Sequence, residues 1–159
     1  MDPKLTKVLI VFPGLSGAGS KGYIKSIVRH LTEDKGYIVG VFHNRGLIPF
    51  TSPHFADIAS IKEIEKALAH AKQKFKDRPN VHFLGVGTSL GGNFMMRAAG
   101  VLKDDFLLEG MISFNNPFDV WLAVNLMRGK IYEKVLIQEL YKNIYARKNE
   151  TEFEAEIYR

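Results

Sequence analysis

A serine with a glycine two residues to either side, Gly87-Thr88-Ser89-Leu90-Gly91, stands between an apolar run and a helical pattern. In a sharp strand-to-helix turn the small neighbours let strand and helix approach closely. The hydroxyl is then presented above the sheet edge, and the next amide, Leu90 N–H, points where an oxyanion would develop. Those residue types at that spacing suit Ser89 to attack on an acyl carbonyl. The blander alternative is a glycine-rich helix start with Ser89 as a plain turn residue. A competing motif, Gly17-Ala18-Gly19-Ser20-Lys21-Gly22, has the G-x-G-x-x-G spacing of a dinucleotide turn. Its first glycine comes five residues after the expected strand end at Phe12, and the second strand ends in His43-Asn44 with no acid to hold a ribose. Nucleotide binding is therefore the weaker reading.

A serine nucleophile needs a base, yet all five histidines (His30, His43, His54, His70 and His82) precede Ser89. His30 and His70 fall on polar helix faces, and His82 opens a strand. Asp104 and Asp105 sit in an expected turn, while Asp119 suits a helix N-terminus. No set of His, Asp and Glu has metal-ligand spacing, so neither a metal nor a cofactor is expected.

The elements that must position Ser89 are readable from periodicity. Lys7–Phe12, Tyr37–Phe42, Val81–Val86 and Glu109–Phe114 read as strands, the first as a run buried on both faces. Between them, Tyr23, Ile24, Ile27, Val28 and Leu31 fall at helical spacing, with Gly36 as the stop. Ser60 and Glu63 form a capping box for a helix with Ile61, Ile64, Leu68, Ala71 and Phe75 on its apolar face. A third helix follows the Ser89 turn to about Val101, and two more are expected over roughly 118–127 and 131–147. The stripe Tyr132, Val135, Leu136, Leu140, Tyr141, Ile144 and Tyr145 either packs on the domain or forms a lid or partner surface. Alternating strands and helices require parallel pairing, hence an α/β fold with helices on both faces of a parallel sheet.

With 159 residues, 46% apolar and 25% charged, the chain has the composition of one globular domain rather than of a disordered or repetitive one. The absence of cysteine excludes disulfides, thiolate metal sites and a Cys nucleophile. Net charge is +5, but the last eleven residues hold four Glu against one Arg. Basic side chains in the remainder are scattered and not interleaved with aromatics, so no nucleic-acid partner is expected. Neither a signal peptide nor a membrane span is readable.

Five landmarks in order, Val11–Gly17, Val41–Gly46, the Thr51-Ser52-Pro53 loop, Gly87–Gly92 and Ser113–Asp119, resemble the α/β-hydrolase superfamily. The likeness is to its branch of YheT-like and membrane-anchored lipases and esterases, and it covers roughly residues 7–148. It implies a serine hydrolase acting on carboxylic esters, with lipid-like acyl chains. Ser89 would be the nucleophile, and the Leu15 and Leu90 amides would hold the oxyanion. The resemblance also implies a strand order of 37–42, 7–12, 81–86, 109–114. One strand would then separate His43 from Ser89, about 10 Å of backbone at ~4.8 Å per strand; His54 has more freedom in its long loop. Family members continue into strands that present an Asp and then a His, and here no His follows Ser89. The chain thus resembles the middle of that domain: residues 1–148 a partial domain, 117–148 its lid-like helices, and 149–159 an acidic tail. Its base would come from outside, and a protein partner could cover the sheet edges. A catalytically silent fragment kept as a subunit or interaction module is the alternative.

Overall fold

The computed structural model describes residues 5–15, 17, 19–45, 57 and 60–145. The Thr51–Pro53 loop, His54 and the acidic tail lie outside the described residues. Four strands, β1 (Thr6–Phe12), β2 (Ile38–Val41), β3 (Val81–Thr88) and β4 (Gly110–Phe114), form one parallel sheet in the order β2-β1-β3-β4. This is the expected order and direction.

Helices cover both faces. On one, α2 (Lys62–Lys74) and α3 (Leu90–Leu102) enclose Val8, Ile10, Phe12, Phe83, Phe94 and Met95. On the other, α1 (Gly22–Arg29) buries Ile24 against Leu9 and Val11. β1 is therefore apolar at successive positions because both of its faces are interior. Phe12 and Met95, both fully buried, anchor the larger core just behind the carboxyl ends of the strands.

Two local expectations need correcting. The Ser60–Glu63 capping box does not form. Ser60 Oγ accepts from Lys62 N–H at 3.2 Å, the helix starts at Lys62, and Glu63 turns instead to Arg45 at 2.8 Å. A charged partner holds the Glu63 carboxylate more strongly than a neutral backbone amide would. The first helix also does not run evenly to Gly36. After Arg29 it widens into a π turn over His30–Asp34, within which His30 Nδ1 lies 2.6 Å from Asp34 Oδ2. Gly36, at φ 67°, still ends it.

Beyond β4 come α4 (Val120–Met127) and α5 (Ile131–Tyr145). Asp119 caps α4, its carboxylate accepting from Leu122 N–H at 2.8 Å. Neither helix has a fully buried residue among the side chains described, and Phe118 and Trp121 are 79% and 76% exposed. Ile112 and Phe114 on β4 are more than half exposed as well.

Candidate functional site

Ser89 occupies the single residue between β3 and α3 and holds φ 52°, ψ −126°. Few residues other than glycine adopt that backbone conformation, and holding it costs of order 1–3 kcal/mol. The surrounding glycines explain how the turn is held. A Cβ at Gly87 would stand 2.5 Å from Gly92 Cα, and one at Gly91 would collide with the Phe12 and Pro13 carbonyl oxygens. Strand, helix and the β1 loop thus meet backbone to backbone. Ser89 N–H donates to the Phe114 carbonyl at 2.7 Å, which fastens the turn to the end of β4.

The Ser89 side chain is exposed, at the carboxyl edge of the sheet. It opens into a cleft of about 630 Å³ whose walls include Leu15, Tyr23, Ile27, Val86, Phe114 and Leu136. Those walls are mostly apolar. Gly14 lies against the serine: a Cβ there would be 3.1 Å from Ser89 Cβ. Gly17 N–H donates to the Gly14 carbonyl at 2.8 Å and closes a turn around Leu15. That bond is donated by Gly17 and does not involve the Leu15 N–H. Leu90 is the first residue of α3, and its N–H is among those without an intrahelical acceptor at a helix start. The helix dipole adds partial positive charge there. Ser89 and Leu15 line one cleft, and Leu90 follows Ser89 as the first residue of α3.

No described histidine joins them. His43 lines a separate cavity beside β2 and α2, with Gly19 against its ring. His82 Nδ1 is 2.6 Å from Glu109 Oε2, and His70 faces the same cavity as His43. Among the described residues there is no group of three or more His, Cys, Asp or Glu that could hold a metal. Gly17, the first glycine of the dinucleotide-like motif, serves packing: a Cβ there would run into Pro13 and stand 2.9 Å from Tyr23 Oη.

Sequence reasoning missed Asn93. It is buried four residues after Ser89, hence one turn along the same helix face, and its Nδ2 donates to the Pro117 carbonyl at 3.0 Å. Its Oδ1, Ser113 Oγ and both polar atoms of Asn116 are buried without a protein partner. Leu136 was read only as part of a stripe, whereas it forms a cleft wall; an ion pair of 3.5 Å between Glu139 and Lys21 ties α5 to the start of α1.

No protein-family model matches the chain. Among curated proteins it is 30% identical over 145 residues to the embryogenesis-associated protein EMB8 of Picea glauca, covering 87% of this chain and 31% of that protein. It is 30% identical over 127 residues to a monoacylglycerol lipase of Saccharomyces cerevisiae, covering 76% and 28%. Against the human phospholipase ABHD3 the figures are 29% over 117 residues, 72% and 28%. The chain therefore spans about a third or less of the length of these relatives. In fold it is similar to the crystal structure of an uncharacterized protein from Bacillus cereus, with a TM-score of 0.51 at 16% identity, over 90% of this chain and 51% of that one.

Proposed function

The chain belongs to the α/β-hydrolase family, and from that premise we propose that it is a serine hydrolase-type protein acting on carboxylic esters with lipid-like acyl chains. The observation that carries this reading is the exposed Ser89 at φ 52°, set at the edge of an apolar cleft. In this reading Ser89 Oγ attacks the ester carbonyl, and the Leu15 and Leu90 N–H groups donate to the oxyanion that forms. The acyl chain lies along Tyr23, Ile27, Phe114 and Leu136, with α4 and α5 as the lid over it. Lipase and phospholipase names among the relatives support an apolar acyl substrate.

The proton of Ser89 must go to an imidazole, and none of the described histidines lines the cleft. Because no His follows Ser89, where the family's chain order of Ser, acid and His would put one, the proposal places the base, and the acid that orients it, on polypeptide outside this chain. The same observation favours a second reading, a catalytically silent hydrolase-like unit that serves as a subunit. Treatment of the purified chain with a serine-directed fluorophosphonate separates the two. Covalent labelling that disappears in Ser89→Ala supports the hydrolase. A folded chain that takes no label, alone and with its natural partner polypeptide, supports the silent unit.

A further inference from the structure

Among the described residues, four of the six buried side-chain polar atoms that lack a protein partner belong to Asn93, Ser113 and Asn116. These residues meet where the first turn of α3 abuts the loop from β4 to α4. Ser113 lies against the helix, since a Cβ on Gly92 would stand 2.4 Å from its Oγ. Asn93 is 5% exposed, and its Nδ2 donates at 3.0 Å to the carbonyl of Pro117, the residue after Asn116. Leaving a buried polar atom unpaired costs more than a typical hydrogen bond contributes, so a cluster of them calls for a ligand.

The chemistry of the atoms narrows what that ligand is. Asn93 Oδ1 and Asn116 Oδ1 accept, Asn116 Nδ2 donates, and Ser113 Oγ does either. A bare cation would meet the amide NH2, and an anion would meet two carbonyl oxygens. A neutral molecule that both donates and accepts suits the whole set, and a buried water typically makes about three such bonds. The same residues close a ring of hydrogen bonds around Ser89. Its N–H donates to the Phe114 carbonyl at 2.7 Å, and its own carbonyl accepts from Asn93 N–H at 3.1 Å. Asn93 Nδ2 completes the ring at Pro117, three residues after Phe114. Between Phe114 and Pro117, Asn115 is held at φ 49°, and it lines the Ser89 cleft together with Phe114.

We propose that an internal water bridges Asn93, Ser113 and Asn116, and that through this bridge Asn93 is a positioning residue for Ser89. The water fixes the 114–117 loop against α3. The loop in turn sets the Phe114 carbonyl, to which the Ser89 amide is tied. Asn93 is not a wall of the cleft, so it acts on the serine through the backbone and not on a substrate. The positioning role rests on the reading of Ser89 as the nucleophile, whereas the water site stands without it.

Nuclear magnetic resonance on the isotopically labelled full-length chain tests both halves. Cross-relaxation should show a long-lived water beside the side-chain NH2 groups of Asn93 and Asn116, and its absence at both overturns the site. Ser113→Ala should lower Tm by about 2–4 °C, because a bonded hydroxyl is lost. An unchanged or higher Tm would mean that the hydroxyl is buried bare, and it too overturns the site. In Asn93→Ala the Ser89 amide proton should shift upfield as its bond to Phe114 lengthens, while the Ile10 and Gly85 amides keep their positions. A general loss of stability would not single out Ser89 in this way. If Asn93→Ala does not fold, Asn116→Ala is read at the same amide. A Ser89 amide that stays in place in the folded variant overturns the positioning role. None of these measurements requires Ser89 to react, so they succeed or fail separately from the fluorophosphonate labelling.

Discussion

Replacing Ser89 by glycine should make the protein more stable than replacing it by alanine, although both remove the hydroxyl. The residue sits at φ 52°, ψ −126°, a conformation that costs a residue with a Cβ about 1–3 kcal/mol. Alanine keeps that strain and glycine releases it. Glycine also gives the unfolded chain more freedom, which offsets about 0.4–1 kcal/mol of the gain. The net advantage of Ser89→Gly over Ser89→Ala is therefore about 1 kcal/mol, or roughly 2–4 °C in Tm for a chain of this size. Thermal unfolding of the two variants side by side, followed by far-UV circular dichroism, measures it. An equal or lower Tm for Ser89→Gly would mean that the turn is not held under strain, and the presentation of the serine would lose its physical basis.

Gly91→Ala should destabilise by about 1–3 kcal/mol or more in urea unfolding, because the new methyl meets the rigid Phe12 and Pro13 carbonyls rather than a yielding side chain. Phe12→Ala should cost about 3–5 kcal/mol in the same assay, since the ring is fully buried behind the site. Asp119→Ala should cost about 0.5–2 kcal/mol by removing the α4 cap, a loss that Asp119→Asn should largely restore. The isolated chain should turn over p-nitrophenyl esters at no more than the residual level of oxyanion contacts, about 10³–10⁴-fold over water. Ser89-dependent turnover at intact-enzyme rates would place an imidazole at the cleft and overturn the reading that the base lies outside this chain.

The sheet was legible because β1 and β3 carry long apolar runs whose burial leaves little choice of face, and because Gly87–Gly91 marks the turn between strand and helix. What stayed hidden depends on partners distant in sequence. Glu63 has the right spacing from Ser60 for a capping box, but spacing says nothing of Arg45, which takes its carboxylate. The π turn at His30–Asp34 leaves the apolar positions of α1 in place, so periodicity alone does not reveal it. Asn93 reads as one polar residue in an apolar helix until Pro117 is seen to accept from it. The candidate site followed the same rule: its serine and glycines announce themselves locally, whereas Leu136 reaches the cleft only through the tertiary path of α5.

The position of β1 bears on how the chain is made. Of the four strands β1 leaves the ribosome before the others, yet it ends in the interior, flanked by β2 and β3. Its pairing with β3 joins Thr6 to Val81, a separation of about 75 residues. At roughly 5–20 residues per second, that partner emerges about 4–15 s later. Throughout the interval Val8-Leu9-Ile10-Val11-Phe12 has at most β2 beside it, with its other edge open. Nascent chains of this protein should therefore depend on holdase chaperones until Thr88 has been translated, and refolding from denaturant should be slow and sensitive to concentration.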